Sequence, residues 1–194
     1  MNWMKKVAVA LVCLLPLGLQ AAKVDTLQVK SPSMNKSIEV VVVSPDMAAT
    51  EACPVIYLLH GYGGNARTWV GIKPDLPKIA DEKGIFFVCP DGKNTWYWDS
   101  PLNADVRYET FISDELVKYV DSHYKTVADR KGRAITGLSM GGHGAMWNGL
   151  RHSDVFSAAG STSGGVDIRP FPKNWEMSVQ IGEKAKYPEN WEKY

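Results

Sequence analysis

Ser139 is the residue best placed to do chemistry. It sits in Gly137-Leu138-Ser139-Met140-Gly141, a G-x-S-x-G pattern that follows the apolar run Ala134–Thr136 and precedes a helix-like stretch. A strand–turn–helix context is what this pattern needs to hold a nucleophile: the turn thrusts the hydroxyl out at the carboxyl edge of a sheet. Glycines two residues either side leave room for that turn and for close helix–strand packing. The helix N-terminus beyond it favours developing negative charge.

A second constellation, His60-Gly61-Tyr62-Gly63-Gly64, closes the apolar run Val55–Leu59. Acyl transfer needs two backbone N–H donors aimed at a tetrahedral oxyanion. One is expected from the residue after the nucleophile, Met140. The other is expected from this loop, with Tyr62 first and Gly63 second. A tight turn without chemistry is the competing account of the same glycines.

The elements that must position these groups can be read from periodicity. Val24–Lys30 and Lys36–Pro45 are rich in β-branched residues and joined by the turn-forming Ser31–Asn35, which predicts an antiparallel pair. Apolar-centred runs at Pro54–Gly61, Ile85–Gly92, Gly132–Ser139 and Val155–Gly165 predict buried parallel strands. A helix broken by Pro74 and Pro77 is expected within Thr68–Lys83. Tyr108, Phe111, Ile112, Leu116, Tyr119 and Val120 recur at spacings of three and four, so Tyr108–His123 is the clearest helix. Another is expected over Gly142–His152. Strands alternating with helices mean an α/β fold with a mainly parallel sheet and helices on both faces. After Val166, prolines and tryptophans punctuate a stretch expected to pass over the sheet top without joining the core.

Four motifs in order, "YLLHGYGG", "CPDGKNTWYWDSP", "YETFISDELVKYVDSHY" and "ITGLSMGGHGA", resemble the esterase D, feruloyl and acetyl esterase and mycolyltransferase group of α/β hydrolases. The resemblance covers about Pro54–Gly165. It implies an α/β-hydrolase fold and a serine esterase without cofactor or metal. It places the nucleophile on Ser139 and the oxyanion donors on Tyr62 and Met140. Trp96 and Trp98 fall where such enzymes line the acyl or alcohol pocket, packing within the loop being the alternative. Glu109 matches a recurring acid of the group, and a structural role at a helix start is expected for it.

A serine hydroxyl needs a histidine within hydrogen-bond reach, usually oriented by an acid. In this fold the chain order is serine, acid, histidine. The chain has four histidines. His60 lies on the loop before the serine, and His123 ends a helix. His143 rides a helix that leaves the site, and His152 is near its far end. A structural role is expected for each. Asp167 follows the fourth parallel strand too early to be the acid. No triad acid or base is therefore assigned. The chain is expected to lack the last two strands of the fold and to leave an open edge at Val155–Gly165, as in a truncated or decayed copy. A pocket that binds a glycan or partner without turnover, using Trp96, Trp98, Trp175 and Trp191, is the competing expectation. Transfer to a sugar in place of water would use the same site.

Composition sets the frame. The 194 residues are 45% apolar and 22% charged, with a net charge of +1, enough for one domain and without a basic patch suited to nucleic acid. Met1–Lys6 carries two lysines, Val7–Leu19 is apolar and Ala21-Ala22 is small, the pattern of a secretory signal peptide cleaved near Ala21 or Ala22. The apolar core is shorter than the ~20 residues of a membrane span. A domain over 23–194 then carries 20 basic and 21 acidic residues. Its substrate is expected to be a small-molecule or carbohydrate ester, outside the cytoplasm. Cys53 and Cys89 stand at opposite ends of neighbouring strands, so two buried thiols are expected and no bridge. Oligomeric state is not legible.

Overall fold

A computed structural model describes residues 22–194; residues 1–21 of the expected signal peptide lie outside them. Among the described residues, no helix is long and apolar enough to cross a membrane.

Six strands form one sheet in the order β1-β2-β4-β3-β5-β6. β1 (Lys23–Ser31) and β2 (Lys36–Ser44) pair antiparallel, and β2 pairs antiparallel with β4 (Phe86–Pro90). From there the sheet is parallel: β4 to β3 (Val55–Leu59), β3 to β5 (Arg133–Leu138) and β5 to β6 (Ala158–Thr162).

The strands alternate their burial between two cores, as a sheet covered on both faces must. Val41, Val43, Leu58, Phe87 and Cys89 meet Leu76 and Ala80 of α2 (Leu76–Lys83). Val40, Val42, Tyr57, Leu59, Phe86 and Val88 join a larger cluster with Phe111, Ile112, Leu116 and Val120. Those last four lie on one continuous helix: α3 (Tyr108–Thr110), a π-helical turn (Phe111–Glu115) and α4 (Leu116–His123). α5 (Met140–Arg151) covers β5 and β6 on the same face.

Two boundaries differ from expectation. The break before α2 follows α1 (Thr68–Ile72) and falls at Lys73–Asp75. Pro77 does not break α2, because it sits in the first turn, where its missing N–H has no helical partner to lose. α5 starts at Met140, directly on the serine turn, and not at Gly142.

The segment after Val166 corrects the sequence reading more deeply. It contains α6 (Met177–Ile181) and α7 (Pro188–Lys193), and Ile168, Met177, Ile181 and Trp191 are all buried in the larger core. Trp191 donates its Nε1–H to the Gly182 carbonyl, so the indole is buried with its polar atom paired. Tyr194 packs edge-on against Trp98 and stacks on Trp147. Helices of five and six residues are too short to show a period, so this packing is invisible in the pattern. β6 stands at one edge of the sheet with four of its five residues exposed. Cys53 and Cys89 are both buried and unbridged.

Candidate active site

The Ser139 turn is made by backbone in contact with backbone. Ser139 has φ 55° and ψ −116°, a left-handed conformation that costs a non-glycine residue energy. A Cβ at Gly141 would lie 2.2 Å from the Leu59 carbonyl oxygen, and one at Gly137 would lie 2.3 Å from that of Gly141. Only glycine lets α5 press this closely on β3. The Ser139 N–H donates to the Thr162 carbonyl (2.8 Å), and its own carbonyl accepts from the His143 N–H (3.0 Å), starting the helix. The side chain caps nothing and is exposed.

The His60–Gly64 loop lies against this turn. A Cβ at Gly61 would sit 3.5 Å from Ser139 Cβ. His60 is buried; its Nε2 accepts from the Gly92 N–H (2.9 Å), which leaves Nδ1 to donate to the Gly61 carbonyl (2.7 Å). The Gly63 N–H is taken by Asn94 Oδ1 (2.8 Å). The N–H groups of Tyr62 and Met140 have no acceptor among the described residues. Of the two loop donors expected, Tyr62 is therefore the free one.

The third part is the loop Gly92–Trp98. Trp96 and Tyr97 both have φ 60°. Trp96 stacks on Trp98, with ring centroids 5.6 Å apart, while Tyr97 packs edge-on against His60 at 5.8 Å. Trp96 faces the cleft, while Tyr97 and Trp98 are fully buried. The Tyr97 hydroxyl donates to the His60 carbonyl (3.0 Å) and the Trp98 Nε1–H to His143 Nε2 (2.9 Å). Trp98 thus lies behind Trp96 and does not line the cleft, contrary to the pocket role expected of it.

Ser139, Tyr62 and Trp96 share a cleft of 280 Å³. Its far wall is Ile168, Phe171, Trp175 and Met177, from the segment expected to pass over the sheet top; Trp175 was expected at a pocket only on the binding reading. The aromatic residues there were visible in the sequence; that they reach Ser139 was not. A larger apolar hollow of 450 Å³ lies along the outer side of α5, around Met146, Trp147 and Leu150, without Ser139.

None of the four histidines is free to serve Ser139. His143 meets the stacked Trp96 and Trp98 rings edge-on, donates Nδ1–H to the Gly165 carbonyl (2.7 Å) and accepts at Nε2. Burial pushes its basicity down, outweighing the Gly165 carbonyl, so it is neutral. His152 bonds Glu109 (2.9 Å) at the far end of α5. His123 stacks on Tyr119 on the surface. Glu109 is a structural node, accepting from Trp147 (2.7 Å), Arg151 (2.8 Å) and His152. Burial alone would raise its carboxyl, but these donors outweigh it and hold it below the usual range. Asp167 borders the cleft, exposed and accepting from the Arg169 main-chain N–H and twice from its guanidinium. Among the described residues, no group of three His, Cys, Asp or Glu could hold a metal ion.

Known proteins share this chain's sequence pattern and fold. Residues 31–194 match the model of a family described as "Putative esterase". An esterase of Mycobacterium tuberculosis is 30% identical over 149 residues, 73% of this chain and 32% of that protein. An acetyl esterase of Caldicellulosiruptor saccharolyticus is 31% identical over 108 residues, 55% of this chain and 40% of its own. A solved ferulic acid esterase superposes with TM-score 0.70 at 29% identity, over 88% of this chain and 69% of that one. The fold is also that of an S-formylglutathione hydrolase from Agrobacterium tumefaciens, with TM-score 0.72 at 21% identity, over 88% of this chain and 69% of that one. The chain spans about a third to two fifths of the length of these two curated relatives.

Proposed function

The chain belongs to this esterase family, and from that membership we propose that it is a serine carboxylic-ester hydrolase acting through an acyl-enzyme. The observation that carries the reading is the free, left-handed Ser139 flanked by two uncommitted N–H groups, Tyr62 and Met140, in one aromatic cleft. Ser139 Oγ attacks the ester carbonyl. The carbonyl oxygen becomes an oxyanion and accepts from both N–H groups. Collapse breaks the bond to the alcohol, which leaves carrying the Ser139 hydroxyl proton, passed through solvent; water then adds to the acyl carbonyl, the acid leaves and the Ser139 hydroxyl regains a proton. The helix dipole of α5 adds to oxyanion stabilisation.

The substrate class we assign is an acetyl or feruloyl ester of a carbohydrate. The acetyl esterase and ferulic acid esterase among its relatives and neighbours support it, as does the aromatic wall. Export, with cleavage near Ala21 or Ala22, belongs to the same proposal. No cofactor enters it.

A second reading is favoured by one observation: both ring nitrogens of His60 and His143 are already bonded, so neither can take the serine proton. On that reading the cleft binds an ester or glycan without turning it over. Labelling with a fluorophosphonate followed by mass spectrometry separates the two. Modification of Ser139, with loss of both label and ester hydrolysis in Ser139→Ala, is the expected result. An unlabelled Ser139 in a folded protein removes the hydrolase reading and leaves the binding one.

A further inference from the structure

The cleft is closed on one side by a strap whose two ends are sunk in the core and whose middle is exposed. Ile168 and Met177 are 2% and 1% exposed, whereas Phe171 and Trp175 between them are 42% and 49% exposed. Two hydrogen bonds fasten this middle across the cleft. The Tyr62 hydroxyl donates to Glu176 Oε2 (2.7 Å), and the Trp96 indole N–H donates to the Trp175 carbonyl (3.2 Å). Tyr62 and Trp96 belong to the loops after β3 and β4, more than 75 residues earlier in the chain. Trp175 and Glu176 are both left-handed, at φ 48° and 53°, with no glycine to relieve them. A strained pair of residues persists where its surroundings hold it, and the fastenings are those surroundings. Trp175 also leans on Trp96 and Phe171, with ring centroids 6.4 and 5.7 Å apart.

We propose that Tyr62 and Glu176 form a latch, and that the strap from Ile168 to Met177 is a gate selecting esters by size at Ser139. Latched, the cleft holds 280 Å³, room for the acyl side of a small ester. A bulky alcohol or polymer-borne ester must part the Tyr62–Glu176 bond to reach Ser139. Tyr62 then has two separable parts. Its main-chain N–H belongs to the oxyanion site, and its hydroxyl belongs to the gate. Glu176 is a positioning residue that touches no reacting atom. The size selection rests on the hydrolase reading, whereas the latch stands on the geometry alone.

The test compares the wild-type chain with Tyr62→Phe, Glu176→Ala and Glu176→Gln. All three substitutions are on the surface, and Tyr62→Phe keeps the main-chain N–H. Hydrogen–deuterium exchange of the strap amides reads the latch without any chemistry at Ser139. Exchange over 168–177 should quicken about five-fold in Tyr62→Phe and Glu176→Ala, the effect of losing one exposed charge-assisted bond. It should return toward wild type in Glu176→Gln, whose amide oxygen still accepts. Unchanged exchange in both disabling variants overturns the latch.

Selection is read from Ser139 labelling by phenylmethanesulfonyl fluoride, which is small, and by a fluorophosphonate on a bulky aryl carrier. In each case the serine oxygen bonds sulfur or phosphorus, fluoride leaves and the hydroxyl proton goes to solvent. The bulky-to-small rate ratio should rise about five-fold in the disabling variants and recover in Glu176→Gln. A ratio that does not move overturns the gate. If neither probe reacts with any form, the nucleophile reading fails, and strap exchange still decides the latch.

Discussion

The cleft is bordered by two turns built from opposite materials. At Ser139 the chain turns left-handed between glycines, and the constraint is space: carbonyl oxygens stand where Cβ atoms would go. At Trp96–Tyr97 two of the bulkiest residues are left-handed together, and the constraint is what their side chains and that of Trp98 hold. Left-handed strain costs about 1–3 kcal/mol per residue. Burying Tyr97 and Trp98 returns roughly 4 kcal/mol each, which outweighs it. One turn is permitted by absent side chains and the other is enforced by large ones.

The largest test of that contrast is Gly141→Ala. The new methyl would meet Leu59 and His60 carbonyls at 2.2 and 2.6 Å, both backbone with nowhere to retreat. A loss above about 4 kcal/mol is expected, read as failure to reach a cooperative urea transition. A variant within about 1 kcal/mol of wild type would break the comparison at its glycine end.

Trp98→Phe probes the aromatic end. It leaves the buried Nε2 of His143 without its donor and a void where the indole was, at a cost of about 2–3 kcal/mol in urea unfolding. No measurable loss would mean that the turn does not depend on this bond.

Acid should find the same junction. Burial depresses the His143 pKa below the ordinary value, so the native state binds fewer protons there than the unfolded one. Stability is then full above about pH 6.5 and falls as pH drops through that value toward the lower native one. Glu109, held below the ordinary glutamate value, adds a second loss when pH falls further and protonates it. A flat stability curve between pH 7 and 5 would contradict the neutral His143.

Gly63→Ala sharpens the contrast at its small end. Nothing lies within 4 Å of the added methyl, so only φ +76° resists it. About 1 kcal/mol is expected, the conformational cost alone. Gly141 is helical and has no positive φ, so equal losses at the two glycines would show that the close contact at Gly141 adds nothing.

What was legible follows from this contrast. Glycine spacing is local, so Ser139, Gly141 and the His60–Gly64 loop could be placed from the chain itself. The choice of Tyr62 over Gly63 as free donor needed Asn94, 31 residues away in sequence. Trp96 and Trp98 looked equivalent as pocket residues, two apart in one aromatic run. Two left-handed residues between Thr95 and Trp98 separate them, and no propensity predicts that in a tryptophan and a tyrosine. The segment after Val166 was expected to stay out of the core because Ile168, Met177 and Trp191 are single anchors, spaced without helical period, whose partners lie on distant elements.

The sequence by itself determined the alternation of strand and helix, the two covered sheet faces and the serine turn. Each depends on residue type and short-range spacing, and the comparisons place the chain in the family its motifs resemble. Only the tertiary structure decided how the histidines are bonded, which tryptophan meets the cleft, and that the strap from Ile168 to Met177 forms the wall facing Ser139. Most of those outcomes depend on hydrogen bonds and ring contacts between residues 22 to 114 positions apart. Such pairings exist only once the sheet has brought its loops to one edge.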